Sequence, residues 1–378
     1  MLWVTVILHY LTDMATSIFQ PLGPYFTEKF AISPKTFAMT LYSISLMTSI
    51  FQPLFGMITD RVEKRNLYLA SVVSLTILSA YMISLAKSFI MVITMALIAQ
   101  LANSAFHPMG ASIAGQRKKG HHIALFSLAG MFGYATGPVF ITWYAQEHDL
   151  KGLYILGISL SVLAFLAVIK MKFLRVKREM KVKVRLGIFS DLFPIMMYIA
   201  FRSFAMGLAQ IYGPMYIKQL GGALIVGGSL LTMARFTGMG LSFLGVFLRG
   251  KLSNNFVNIL SSSFMAFFGL LFMFSHSMTS VIVTYVIMLS SAYLSMSSNV
   301  VEAQDRAPLN PGLASSIAMG LAWSLGSTMN LVYSYLFGND VSFMVKSFWV
   351  VSALSILFSV LDLMRKKRKS PWREQDLL

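Results

Sequence analysis

Lys170-Met171-Lys172-Phe173-Leu174-Arg175-Val176-Lys177-Arg178-Glu179-Met180-Lys181-Val182-Lys183-Val184-Arg185 decides how the rest of the chain is read. Eight of these side chains are Lys or Arg. A run of like charge this dense stays in water or at a headgroup surface, out of hydrocarbon. It lies near the middle of 378 residues, and both flanks are built of long apolar runs. The whole chain is 56% hydrophobic and 12% charged, where a soluble domain carries about 25% charged residues. These proportions exclude an ordinary soluble protein and describe a polytopic membrane protein. There is no cysteine, so disulfides, cysteine-bound metals and a cysteine nucleophile are excluded. No metal-ligand spacing and no nucleotide-binding loop is found, so no cofactor and no direct use of ATP is expected. The first apolar run contains Asp13 and Pro21 and lacks a basic leader. It is expected to be a retained helix rather than a signal peptide.

Apolar runs long enough to cross a bilayer predict twelve spans: 2–24, 36–58, 67–86, 88–114, 121–144, 152–172, 191–217, 223–248, 256–275, 278–301, 311–337 and 343–364. An even number places both termini on one side. With that side taken as the cytoplasm, its loops and tail hold 23 Lys and Arg residues against 6 outside. The positive-inside rule selects this orientation, in an inner or plasma membrane. The net charge of +17 is then a topology signal, and no nucleic-acid partner is expected. The two flanks also repeat. Gly23-Pro24-Tyr25-Phe26 is matched by Gly213-Pro214-Met215-Tyr216, and Gly130 by Gly320, at the same offset. The expected organisation is all-α: a six-helix bundle over 1–172, a basic linker over 173–190, a second bundle over 191–364 and a basic tail over 365–378. Two parallel six-helix repeats are the layout of a transporter with its site between the halves.

Ionisable groups inside the spans narrow the site. Each costs on the order of 2.5–3.5 kcal/mol at mid-bilayer, so it is expected to face a wet cavity. His9 and Asp13 lie one helical turn apart in the first span, His107 in the fourth, Arg202 in the seventh and Arg235 in the eighth. His9, Asp13, Thr16 and Gln20 share one helical face, as do Tyr42, Ser45, Ser49 and Gln52, and Gln100, Asn103 and His107. Asp13, tuned by His9, is the candidate proton carrier; His107 is a further candidate, or a residue that bonds a backbone carbonyl beside Pro108. Arg202 and Arg235 are candidates for an anionic substrate, or for an internal pair with Asp13. Gln20, Gln52, Asn103 and the mid-span Trp323 are candidate substrate contacts, or ordinary packing residues.

Three motifs carry a resemblance. Gly56-Met57-Ile58-Thr59-Asp60-Arg61-Val62-Glu63-Lys64-Arg65 resembles the signature loop of the major facilitator superfamily, with Glu63 where a glycine is usual. The resemblance implies that Gly56, Asp60, Arg61 and Arg65 form a gate latch; the plainer reading is a charged turn that sets topology. Gly133, Gly137 and Pro138 in the fifth span allow close helix packing and a bend, and look like an element of that superfamily's proton antiporters. Asn103-Ser104-Ala105-Phe106-His107-Pro108-Met109, with His9 to Asp13 and Gln52-Pro53, resembles the fosmidomycin-resistance branch. There a Glu commonly follows Phe-His-Pro; this chain has Met109.

The resemblance implies the major facilitator fold and alternating access. The expected activity is proton-coupled efflux of a small, anionic compound or drug by a monomer in the lipid bilayer. Its partners are the substrate and protons. Proton-coupled uptake of an organic anion is the alternative. An intramembrane acyltransferase using His9 and Asp13 is a remote one, because their spacing is one residue short and no companion motif is present.

Overall fold

The computed structural model describes residues 2–114, 120–171, 187–308 and 311–369. The described residues are helical, with no strand among them. The helices are α1 (Leu2–Thr16), α2 (Gly23–Lys29), α3 (Pro34–Arg61), α4 (Arg65–Tyr81), α5 (Phe89–Ala114), α6 (Gly120–His148), α7 (Leu153–Ile169), α8 (Ile188–Gln219) and α9 (Leu224–Lys251). They continue as α10 (Asn254–Met273), α11 (Met278–Ser291), α12 (Met296–Arg306), α13 (Pro311–Ser316), α14 (Ala322–Phe337), α15 (Val341–Lys346) and α16 (Phe348–Lys369). Each of the twelve expected spans falls on helix. Among the described residues, eight helical segments, with α11–α12 and α15–α16 each taken together, are long and apolar enough to cross a membrane by length and composition. The basic linker lies outside the described residues except for 187–190, as does the end of the tail.

Local chemistry sets the helix ends. Ser33 caps α3 by accepting from Thr36 N at 3.0 Å, and Pro34 occupies the first turn, where no N–H is needed. Ser253 caps α10 in the same way, 3.2 Å from Phe256 N. Ser277 and Ser280 form a reciprocal capping box on α11. Four expected spans are interrupted. α1 stops at Thr16, and a turn leads to α2 around Pro21 and Pro24, where proline removes the N–H that would continue the ladder. The tenth span breaks between α11 and α12, where Ala292, Tyr293 and Leu294 donate to carbonyls three residues back. In the eleventh, Ile317–Leu321 is a π-helical turn, a feature common at functional sites. The twelfth breaks at Ser347.

Two compact units result. The first comprises Met1–Met180, Gln210–Arg235 and Ser334–Val341. The second comprises Lys181–Ala209, Phe236–Tyr333 and Ser342–Leu378. The division therefore runs through α8, α9 and α14 rather than only through the basic linker.

In the first unit α1 and α6 meet at glycine. A Cβ on Gly133 would lie 2.1 Å from Tyr10 O, and one on Gly137 2.0 Å from Ser17 Oγ. In the second unit Ile188, Leu192, Ile195 and Ile199, on one face of α8, pack with Ala303, Ala314, Ile317, Ala318 and Ala322. Large apolar side chains such as Ile90, Leu163 and Phe267 stand exposed, the surface expected of helices solvated by lipid tails.

Candidate functional site

The first unit gathers a polar cluster around Asp13. His9 stands one turn before it on α1. The Nδ1–H of His9 donates to Phe126 O on α6 at 2.7 Å. A carbonyl only accepts, so this bond assigns the proton to Nδ1 and leaves Nε2 facing Asp13 Oδ2 at 3.2 Å. His107 Nε2, from α5, reaches Asp13 Oδ1 at 3.5 Å. Asn103 Nδ2, one turn before His107, donates to Asp13 Oδ1 at 3.1 Å and to Thr16 Oγ1 at 3.3 Å. Gln100 Nε2 donates to Thr16 O at 3.1 Å. The His9 ring stacks on Phe126, with centroids 3.9 Å apart. Gly130 completes the enclosure, because a Cβ there would lie 2.3 Å from His9 Nε2 and 2.7 Å from Asp13 Oδ2. His9 is 5% exposed, whereas the His107 side chain is 34% exposed. The cluster is thus closed at one imidazole and open at the other.

Arg235, on α9, belongs to the same unit but to another group. It donates to Tyr134 O at 2.7 Å and to Gln20 Oε1, and its guanidinium lies 3.7 Å from the Tyr134 ring centroid. The Tyr134 hydroxyl donates to Gln20 Oε1 at 3.4 Å and Gln210 Oε1 at 3.3 Å. Gln20 sits in the turn after α1, so it serves this group rather than the Asp13 cluster. Gln52 is half-buried on α3 and makes none of the bonds that assemble either group. Met109, standing where the resemblance has a carboxylate, is fully buried.

Arg202, on α8, lies in the second unit. It is 1% exposed and donates to Ala292 O and Ser295 Oγ, both at a long 3.4 Å. Its guanidinium carbon is 5.9 Å from the Trp323 ring centroid, and Nε is buried without a hydrogen-bond partner. The hydrogen bonds of Arg202 and Arg235 go to neutral groups, and Asp13 is held by side chains of α1 and α5. Trp323 is half-buried and packs against the α8 core.

Of the signature loop, Gly56 has open space where a Cβ would be, Arg61 is exposed and Arg65 is buried at the start of α4. The Asp60 side chain lies outside the described residues, and with it the expected latch. Sequence reasoning missed Tyr134, Phe126 and Gln210. It also assigned no site role to Glu302, Arg306 or Asp362. In the second unit Arg306 holds Asp362 through two bonds of 2.9 and 2.5 Å and Glu302 at 2.9 Å. Arg249 joins Glu302 at 3.0 Å and also Asp305, while Asn255 Nδ2 donates to Asp362 Oδ2 at 2.7 Å. The i, i+4 spacing of Glu302 and Arg306 was the one local signal for this network.

A family model described as Major Facilitator Superfamily matches residues 2–331. The chain belongs to the major facilitator superfamily. As a superfamily member it is a multi-pass membrane transporter of small molecules and not an enzyme. Solved structures agree on the fold. It is similar to a nucleoside transporter, NupG, at a TM-score of 0.78 and 13% identity, over 96% of this chain and 99% of that one. It is similar to a D-xylose-proton symporter at a TM-score of 0.76 and 12% identity, over 96% of each chain. In sequence it is 27% identical over 134 residues to the Fosmidomycin resistance protein of Escherichia coli (strain K12). That match covers 35% of this chain and spans about a third of the relative's length, 33%.

Proposed function

We propose that the protein is a secondary active transporter of the inner or plasma membrane that expels a small anionic compound by alternating access, in exchange for protons. It works as a monomer, with both termini in the cytoplasm. One observation carries the reading: His9 Nε2 and Asp13 Oδ2 lie 3.2 Å apart with side chains only 7% and 14% exposed, while the only neutral-state proton of His9 is committed to Phe126 O. Two lone pairs do not face each other at that distance without a positive charge between them. A proton held between imidazole and carboxylate supplies it, and His107 opens its path to water.

The anionic substrate is supported by Arg202. A buried guanidinium with neutral partners leaves a charge that a phosphonate, phosphate or carboxylate would compensate. Efflux is supported by the name of the relative, a resistance protein. Expelling an anion while admitting a proton moves two charges downhill, about 4.6 kcal/mol per cycle at 100 mV, from about 2.3 per charge.

The test uses fosmidomycin as probe. Proteoliposomes with an imposed pH gradient should drive its flux with the wild-type chain and lose that drive with Asp13→Asn. Undiminished pH-driven flux in the variant would defeat the proposal.

A further inference from the structure

We infer that His9, Asp13 and His107 form a binding site for a divalent transition-metal ion of the zinc class, which displaces the bound proton and blocks transport. The inference rests on the reading of this cluster as the proton site and names what else competes for it.

The donor atoms have the chemistry and the spacing. Two imidazole nitrogens and one carboxylate suit zinc, cobalt, nickel or copper over calcium or magnesium. A tetrahedral ion with ligands at about 2.0–2.2 Å places neighbouring donor atoms about 3.3 Å apart. His9 Nε2 lies 3.2 Å from Asp13 Oδ2 and His107 Nε2 3.5 Å from Asp13 Oδ1, and one donor atom from each residue lies within 4.8 Å of the others, so a small turn of the carboxylate offers both imidazoles one oxygen. His107, a third exposed, has room to close the remaining edge.

Four further features bear on the site. The His9 Nδ1–H bond to Phe126 O is the outer contact that metal-bound histidines make, fixing the tautomer and aiming the other nitrogen inward. That other nitrogen, Nε2, is buried and faces Asp13 Oδ2 at 3.2 Å. Asn103 Nδ2 holds the carboxylate through Oδ1 and stands 3.3 Å from His107 Nε2, a contact that a bound ion would replace. Gly130 lets α6 approach Nε2 and Oδ2 more closely than any residue with a Cβ could. Three protein ligands leave a fourth position for water or for an acidic group of the substrate. In the balanced exchange the dication enters as the shared proton leaves to solvent.

The experiment uses the full chain, purified without a histidine tag in detergent. Zinc chloride is titrated calorimetrically, and cobalt chloride is followed by its visible absorption. Saturable binding of about one ion per chain is expected, with the intense spectrum of a tetrahedral cobalt site. Asp13→Asn and His107→Ala should each weaken zinc by about 100-fold or more, since loss of a ligand costs at least what loss of its outer contact does. His148→Ala, an exposed histidine elsewhere, should bind as the parent does. Where His107→Ala lowers thermal stability, His107→Gln replaces it. No saturable binding to folded protein, or equal affinity in the Asp13 and His107 variants, overturns the site.

Flux separates the two readings. Zinc bound without pH-driven flux overturns the proton reading and leaves the metal site. pH-driven flux without zinc binding does the reverse. Zinc bound without slowing flux overturns the block.

Discussion

Gly133→Ala tests the seam that holds the site together. An alanine Cβ would meet Tyr10 O at 2.1 Å, Tyr10 C at 2.9 Å and Met14 N at 3.0 Å. All three are backbone atoms of α1, so no side chain can swing aside. Restoring an ordinary contact of about 3.3–3.6 Å to the oxygen requires α1 and α6 to part by about 1.2–1.5 Å. Overpacking of this kind costs about 1–3 kcal/mol, against a gain of about 0.5–1 kcal/mol from placing alanine for glycine in a helix. A net loss of roughly 1–2 kcal/mol follows, because a displaced backbone forfeits contacts along the whole seam. The same shift would stretch the His9–Phe126 bond, now 2.7 Å, beyond hydrogen-bonding distance. The assay is thermal unfolding in detergent beside Gly56→Ala, where a Cβ meets nothing within 4 Å. Gly56→Ala should match or exceed the parent Tm, and Gly133→Ala should fall below it. Equal Tm values for the two variants would refute the close approach of α1 and α6.

Asp362→Asn should cost about 3–5 kcal/mol, because it leaves the Arg306 guanidinium short of its two-bond partner in a largely buried network; denaturation of the purified protein measures it. Glu28→Gln should change stability by less than about 1 kcal/mol, since its pair with Lys218 is exposed on both sides and screened by solvent. Arg202→Ala should weaken fosmidomycin binding by about 10- to 100-fold, the value of about 1.5–3 kcal/mol for charged hydrogen bonds, read by equilibrium binding. Unchanged affinity would remove Arg202 from the substrate site.

What could be read without coordinates was whatever depends on neighbours along the chain. Span length, the basic mid-chain run and the loop-charge bias are local sums, and burial in lipid constrains them strongly. The pairing of His9 with Asp13 was legible for the same reason, since four residues are one helical turn. The remaining assignments needed contacts between distant segments. Phe126 O fixes the His9 tautomer from 117 residues away, and a backbone carbonyl leaves no trace in residue type. His107 completes the donor set only because α5 lies against α1. Arg235 and Gln20, 215 residues apart, share one group, although periodicity had set Gln20 beside Asp13; the helix stops before it reaches that position. Composition and spacing thus settled that costly charges exist within the membrane spans. Packing alone decided which of them meet, because a side chain's partners are set by helix contacts that no local pattern encodes.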